Sequence, residues 1–278
     1  MMALFNRTAL ECSKLITEHY STSFTLGIKT LQRKFHMPIY AIYGFVRYAD
    51  EIVDTFHDFD KKTLLARFRH DTYQAIEEGI CLNPVLHSFQ LVVNEYKVDY
   101  PLIEAFLKSM EMDLYVQDYD AEGYEEYIYG SAEVVGLMCL RVFCEGDSAM
   151  YDRLKEPARK LGSAFQKVNF LRDLKSDFQD RGRTYFPGVD FNDFSRDAKH
   201  LIEKDIQHDF DDALVGIMNL PSGARMGVYL AYTYYLTLFN KIKQLPASRI
   251  QHERIRVPDS QKIALLAQTY LKYRLNVI

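Results

Sequence analysis

Asn169-Phe170-Leu171-Arg172-Asp173-Leu174-Lys175-Ser176-Asp177 is the stretch whose reading decides the fold. It sets oxygen-bearing side chains at i, i+4 and i+8, which share one face of a helix with neighbouring Cβ atoms about 6 Å apart. An earlier stretch, Asp50-Glu51-Ile52-Val53-Asp54, repeats the spacing with a pair of aspartates. The interleaved Ile52, Val53, Phe170, Leu171 and Leu174 are apolar, so both helices read as largely buried. Buried carboxylates are costly unless they are paired or bind a cation. Asp50, Asp54, Asn169, Asp173 and Asp177 therefore read as a shared site for positive charge. Hard oxygen ligands of this kind suit Mg²⁺, with Mn²⁺ as a substitute.

Aspartates at i, i+4 also occur on solvated helix faces, and either cluster alone has that ordinary explanation. Their joint occurrence weighs against it, as does an arginine attached to each. Arg47 precedes Asp50 by one turn and Arg172 adjoins Asp173. Guanidinium groups match phosphate oxygens in a bidentate manner.

Working outward, helices are expected at about 7–18, 38–57, 61–78, 85–97, 100–118, 124–144, 151–180, 195–219, 221–244 and 259–273, with Pro and Gly marking their ends. The stripe Ile39, Ile42, Tyr43, Val46, Ala49, Asp50, Val53, Asp54 begins apolar and ends acidic, as in a helix that reaches a polar cavity. Pro38 and Pro157 are expected at helix starts. Hydroxyls at Tyr20, Ser21, Thr22 and Ser23 cap the next helix or donate to an anion near its N-terminus. Gly130, Ala132 and Gly136 leave room for a close neighbour, either a helix or a slender ligand. Asp113, Asp118 and Asp120 read as a solvated helix end, and His57 sits in a loop without a second ligand at helical spacing. No strand-like alternation persists and no Pro- or Ser-rich linker interrupts the chain. The expected architecture is all-α, a single domain over 1–278 with roughly ten helices around a large cavity.

With 48% hydrophobic and 26% charged residues, the 278-residue chain can bury a sizeable core, which excludes general disorder. A net charge of −4 and a pI near 6.1 argue against nucleic acid as a partner. Aromatic content is peculiar in kind, with 20 Tyr and 18 Phe but no Trp, a supply that can line an apolar pocket or an ordinary core. Cys12, Cys81, Cys139 and Cys144 show no metal spacing and read as reduced thiols. The first residues lack the apolar run of a signal peptide, and no stretch reaches the 18 or so apolar residues of a membrane span. A cytoplasmic protein is expected. No amphipathic basic helix stands out, and a weak peripheral membrane contact rests only on the water-insolubility of the expected products.

Acidic helices, attached arginines and many aromatic rings together suggest metal-assisted departure of diphosphate from an apolar substrate in a dry pocket. Tyr and Phe faces stabilise a carbocation by about 0.5–2 kcal/mol each.

The segments Tyr43-x-x-x-Arg47-x-x-Asp50-Glu51-Ile52-Val53-Asp54, Gln166 through Asp177, and Arg181-Gly182-Arg183-Thr184-Tyr185-Phe186-Pro187 resemble the phytoene/squalene synthase family. The likeness runs from Ser21–Phe24 to Lys262. It implies the all-α isoprenoid synthase fold and head-to-head joining of two prenyl diphosphates, C20 favoured over C15. It assigns Asp50, Asp54, Asn169, Asp173 and Asp177 to Mg²⁺. It assigns Arg47, Arg172, Tyr43, Gln166 and Tyr20–Ser23 to diphosphate or prenyl chain, with Asp50, Asp54, Asp173, Asp177, Tyr43 and Arg47 carrying the reaction. Tyr129 and Tyr235 match pocket tyrosines, while Arg254 and Lys262 match late basic residues that reach a diphosphate. Glu133 departs from the pattern where glycine is expected, and either faces away from the cavity or alters substrate fit.

The function implied is phytoene synthesis from two geranylgeranyl diphosphates through a cyclopropyl diphosphate, in carotenoid biosynthesis. The alternatives are squalene, hydroxysqualene or dehydrosqualene from farnesyl diphosphate, with NADPH only for squalene; a terpene cyclase; or a non-catalytic family member. On this reading Asp54→Ala or Asp173→Ala removes an unpaired carboxylate and costs little stability.

Overall fold

In the computed structural model, residues 1–116, 118–175, 185–189, 194–250 and 254–275 are described. They fold as helices with no β-strand among them. In chain order these are α1 (Met2–Tyr20), α2 (Thr22–Lys29), α3 (Arg33–Asp54), α4 (Lys61–Glu78), α5 (Pro84–Tyr96), α6 (Tyr100–Tyr115), α7 (Ala121–Ile128) and α8 (Val134–Cys144). After them come α9 (Ser148–Lys175), α10 (Arg196–Met218), α11 (Ser222–Lys243), α12 (Ala247–Ile250) and α13 (Asp259–Arg274). A π-helical turn, Tyr129–Glu133, joins α7 to α8.

Two helices begin earlier than their prolines suggest. In α3 the buried Phe35 shares a face with Ile39 and anchors a turn ahead of Pro38, while the Gln32 N–H donates to Gly223 O at 2.7 Å. In α9 the Asp147 carboxylate accepts from Met150 N at 2.9 Å, so the helix starts a full two turns before Pro157. Asp120, expected at a solvated helix end, caps α7 by accepting from Gly123 N at 2.8 Å.

Buried side chains form two clusters that meet at Val228. The first is built from α2–α6 and α8 around Phe45, whose ring stacks on Phe89 with centroids 3.8 Å apart. Such aromatic pairs are worth about 0.5–1.5 kcal/mol beyond the area they bury. The second surrounds α9 and α10, where Phe170 stacks on Tyr185 at 3.9 Å.

The rod α7–π–α8 lies between α6 and α9, and its small residues set the distances. A Cβ on Gly130 would meet Ala105 O at 2.5 Å, and one on Gly162 of α9 would meet Ala132 O at 2.7 Å. Gly130 brings two helices together, the first of the roles left open for the small residues, while Ala132 and Gly136 line a cavity. Ala121–Cys144 is also long and apolar enough to cross a bilayer, contrary to the expectation from the sequence. The rod is continuous because the π turn carries the helix through Gly130. Val134, Leu137, Met138 and Leu140 are buried against protein, as in the central helix of a packed core.

Replacing Gly162 by Ala drives a methyl group into the backbone of the π turn. The expected cost is about 1–3 kcal/mol, the usual range for overpacking, and thermal unfolding of the purified variant measures it.

Candidate active site

A cavity of about 430 Å³ runs between α2, α3, the π turn, α8, α9, α10, α11 and α13. Helix α9 gives it one wall through Leu154, Pro157, Ala158, Leu161, Gly162, Phe165, Asn169 and Arg172, spaced three or four apart on a single face. Leu154 and Arg172 are separated by about 27 Å along the helix axis at 1.5 Å per residue. The Leu154 end is wholly apolar, with Phe143 and Leu220 in the same buried cluster. The Arg172 end is polar and also receives Ser21, Ser23, Tyr43, Tyr235 and Lys262.

At the polar end Tyr235 of α11 donates to Asn169 Oδ1 at 3.3 Å, and its ring stacks on Phe165 with centroids 3.9 Å apart. Gln166 donates to Ser131 Oγ of the π turn at 3.2 Å. Ser21 caps α2 by accepting from Phe24 N at 3.2 Å, and its hydroxyl lies beside the Tyr43 phenol. Of the uses foreseen for the hydroxyl cluster, the cap is present at Ser21, which also lines the cavity. Burial raises the Tyr43 phenol above its ordinary range, partly offset by the charge of Arg47. Burial likewise raises Tyr235, so both rings stay neutral donors.

The acidic residues are held by arginines. Arg47 donates to Asp50 at 2.6 Å and to Glu51, and its guanidinium lies 4.4 Å from the Tyr20 ring centre. Its Nε is buried with no hydrogen-bond partner among the described residues, a donor suited to an anion. Arg172 donates to both oxygens of Asp173 at 3.1 Å, and Arg254 reaches the same carboxylate at 2.7 Å. Burial opposes the charge on Arg172, but its bonds to Asp173 outweigh this and raise its pKa. The sequence reading treated Asp173 as unpaired, and the structure corrects this: Arg254 lies 81 positions away and only the fold brings it there. Tyr43 lies near Arg47 and Asp50 on its own helix α3 and near Tyr235 of α11, the residue that donates to Asn169 of α9. Asp54 is the last residue of α3, one turn beyond Asp50.

Lys262 of α13 lines the cavity and donates to Thr22 Oγ1 at 3.4 Å. Tyr129 is not among the lining residues, and its ring sits 5.4 Å from the Arg159 guanidinium. Glu133 accepts from Arg159 at 2.7 Å and is likewise absent from the lining, so of the two readings it takes the first and faces away from the cavity. Asp177 and Arg181-Gly182-Arg183-Thr184 lie outside the described residues. Phe165, Ser131 and Tyr234 also line the cavity and were missed. The signal for Phe165 was present, since it extends the Asn169, Asp173 face one turn back.

The donor set is oxygen only: carboxylates of Asp50, Asp54 and Asp173 and the amide oxygen of Asn169. That is the chemistry of Mg²⁺, which takes one or two carboxylates and completes its octahedron with water and phosphate. Among the described residues no three His, Cys, Asp or Glu side chains converge as a metal cage.

A sequence profile described as squalene/phytoene synthase matches residues 17–261. A 4,4'-diapophytoene synthase of Staphylococcus haemolyticus is 25% identical over 68% of this chain and 66% of its own, just under two thirds of that relative. A 15-cis-phytoene synthase of Synechocystis is 27% identical over 95% of this chain and 85% of its own. A crystal structure of a dehydrosqualene synthase superposes with a TM-score of 0.81 at 22% identity, covering 96% of this chain and 98% of that one. A squalene synthase from Alicyclobacillus acidocaldarius gives 0.76 at 20% identity, over 86% and 94%. The class is that of all-α isoprenoid synthases. Within it, the chain belongs to the squalene/phytoene synthase family, whose members are prenyltransferases that condense prenyl diphosphates head to head.

Asp173→Ala should abolish turnover of a prenyl diphosphate. Because it strips the partner from the half-buried Arg172, it should also cost about 1–3 kcal/mol of stability, read by denaturant unfolding. Cys139 lines the cavity, and burial pushes its thiol up to about 12. Only the thiolate reacts, so iodoacetamide at pH 8 should leave Cys139 unmodified in the folded protein, as peptide mass spectrometry reads.

Proposed function

We propose that the chain is a single isoprenoid synthase domain that joins two geranylgeranyl diphosphates head to head into phytoene, as a cytoplasmic enzyme of carotenoid biosynthesis. The observation that carries the reading is the cavity itself, which follows α9 for about 27 Å, apolar over about 16 Å from Leu154 to Phe165 and lined at the other end by charged and hydroxyl groups. Such a shape suits a long hydrocarbon tail ending in diphosphate. The Synechocystis and Arthrospira platensis relatives, each matched over 95% of this chain, are phytoene synthases and favour the C20 substrate.

Asp50, Asp54, Asn169 and Asp173, with Asp177, would hold Mg²⁺. When bound, Mg²⁺ neutralises the diphosphate as its carbon–oxygen bond breaks. The chain's own groups do the rest. Arg47, Arg172, Arg254 and Lys262 bind diphosphate oxygens, Arg47 through its unpartnered Nε. Tyr43 and Tyr235, neutral by burial, donate hydrogen bonds there without adding negative charge. The faces of Phe165 and Tyr235 lie where positive charge develops on the allylic carbon, and the apolar walls keep water from quenching it. The allylic cation alkylates the double bond of the second substrate, which loses a proton and closes a cyclopropane. The cyclopropyl diphosphate then loses diphosphate, rearranges and gives up a proton to yield phytoene.

A second reading, dehydrosqualene or squalene from farnesyl diphosphate, is favoured by the diapophytoene synthase and dehydrosqualene synthase likenesses. Incubation with labelled C15 and C20 diphosphates in Mg²⁺, with and without NADPH, separates the two. Phytoene from the C20 substrate without NADPH is expected. A C30 hydrocarbon alone would select the second reading, and binding without turnover would make the chain a non-catalytic member.

A further inference from the structure

Helix α13 exposes several large apolar side chains, with Gln261 and Gln268 among them. Leu265 and Thr269 face the protein. Outward lie Ile263, Tyr270, Leu271 and Leu275, exposed by 64%, 50%, 60% and 72%, with the exposed Ala264 and Ala267 between them. At 100° per residue Ile263, Ala267, Tyr270 and Leu271 fall on one flank of the helix. A surface helix ordinarily shows water its polar face, so this outer face fits an apolar neighbour.

Charge narrows the choice of neighbour. From Arg254 to Leu275 the chain carries Arg254, Arg256, Lys262, Lys272 and Arg274 against a single acidic residue, Asp259. In a protein of net charge −4, this is a local basic reversal. Arg254 and Lys262 serve the cavity and Lys272 donates to Tyr229, which leaves the exposed Arg256 and Arg274 to flank the apolar face. Apolar residues flanked by exposed arginines match the headgroup and acyl boundary of an anionic bilayer. Position narrows it further. Lys262 and Leu265, in the first turns of the same helix, line the cavity. The proposed product is a hydrocarbon with no polar group, and water offers it no exit.

We infer that the outer face of α13 docks on an anionic phospholipid bilayer and that product passes from the cavity mouth into the membrane beside it. This rests on the proposed reaction for the product, while the docking itself rests on the face alone.

The test is sedimentation of the full chain with vesicles of phosphatidylcholine alone or mixed equally with phosphatidylglycerol. The wild type should pellet with the mixed vesicles. Ile263→Asp with Leu271→Asp should weaken binding by about tenfold or more while turnover of detergent-dispersed substrate is unchanged. Arg256→Glu with Arg274→Glu, which leaves the apolar face intact, should weaken binding to the mixed vesicles selectively. Wild type that ignores both vesicles, or variants that bind as well as it does, would overturn the proposal. So would wild-type dimers that the aspartates dissociate without any vesicle binding, since the face would then cover a second copy of the chain. A C30 hydrocarbon with vesicle binding intact would overturn the phytoene reading alone.

Discussion

Arg172 holds a permanent positive charge at the polar end of a greasy cavity. A guanidinium cannot discard its proton, and an ion withdrawn from water costs several kcal/mol unless partners satisfy it. Asp173 supplies the partner from the next position on α9, and Arg254 joins from a distant segment. Two guanidiniums meet one carboxylate there, and Lys262 stands at the same cavity end on α13. The same pattern stands on α3, where Arg47 spans Asp50 and Glu51 and still keeps a donor spare. Each acidic helix thus carries carboxylates and a guanidinium within the same turn.

Helix α9 can present this end correctly only because its other faces are fixed. Gly162 lets it touch the π turn, and Pro157 fits against Gly216 of α10. On the side away from the cavity, Lys167 of α9 donates to Asp209 of α10 at 2.7 Å, and Lys160 and Ser163 reach the same carboxylate at 2.9 and 2.7 Å. Burial alone would raise Asp209, but the two lysines and the serine lower it, so the group is an anion held among donors. Breaking one arm of such a buried pair strands a charge, which resists rotation or sliding of α9. The register of Asn169 in the cavity, and of Asp173 one turn beyond it, therefore depends on contacts on the far side of α9.

Much of the site was legible in the sequence because helix geometry is local. Asp50 with Asp54 and Asn169 with Asp173 fall on common faces by spacing alone. Tyr43, Arg172, Tyr235 and Lys262 reach one cavity end as the family resemblance implied. Tyr129 was assigned to the same pocket, and the π turn that begins at this residue accompanies its position beside Arg159 instead. A π turn inserts one residue per turn and shifts every later side chain around the axis, which no reading at 3.6 residues per turn anticipates. Helices α2 and α12, of 8 and 4 residues, escaped because so few turns carry little periodic signal.

By itself the sequence determined that the chain is helical, that two of its helices bear oxygen ligands on one face, and which family it belongs to. These follow from spacing and residue type along a few turns. The fold alone decided that Arg254 pairs with Asp173, that Glu133 turns away to Arg159, and that α13 closes one side of the cavity while baring apolar residues outward. Such contacts join residues that are tens of positions apart. Their energies depend on which surfaces are brought together and dried, and that depends on the packing of the whole chain.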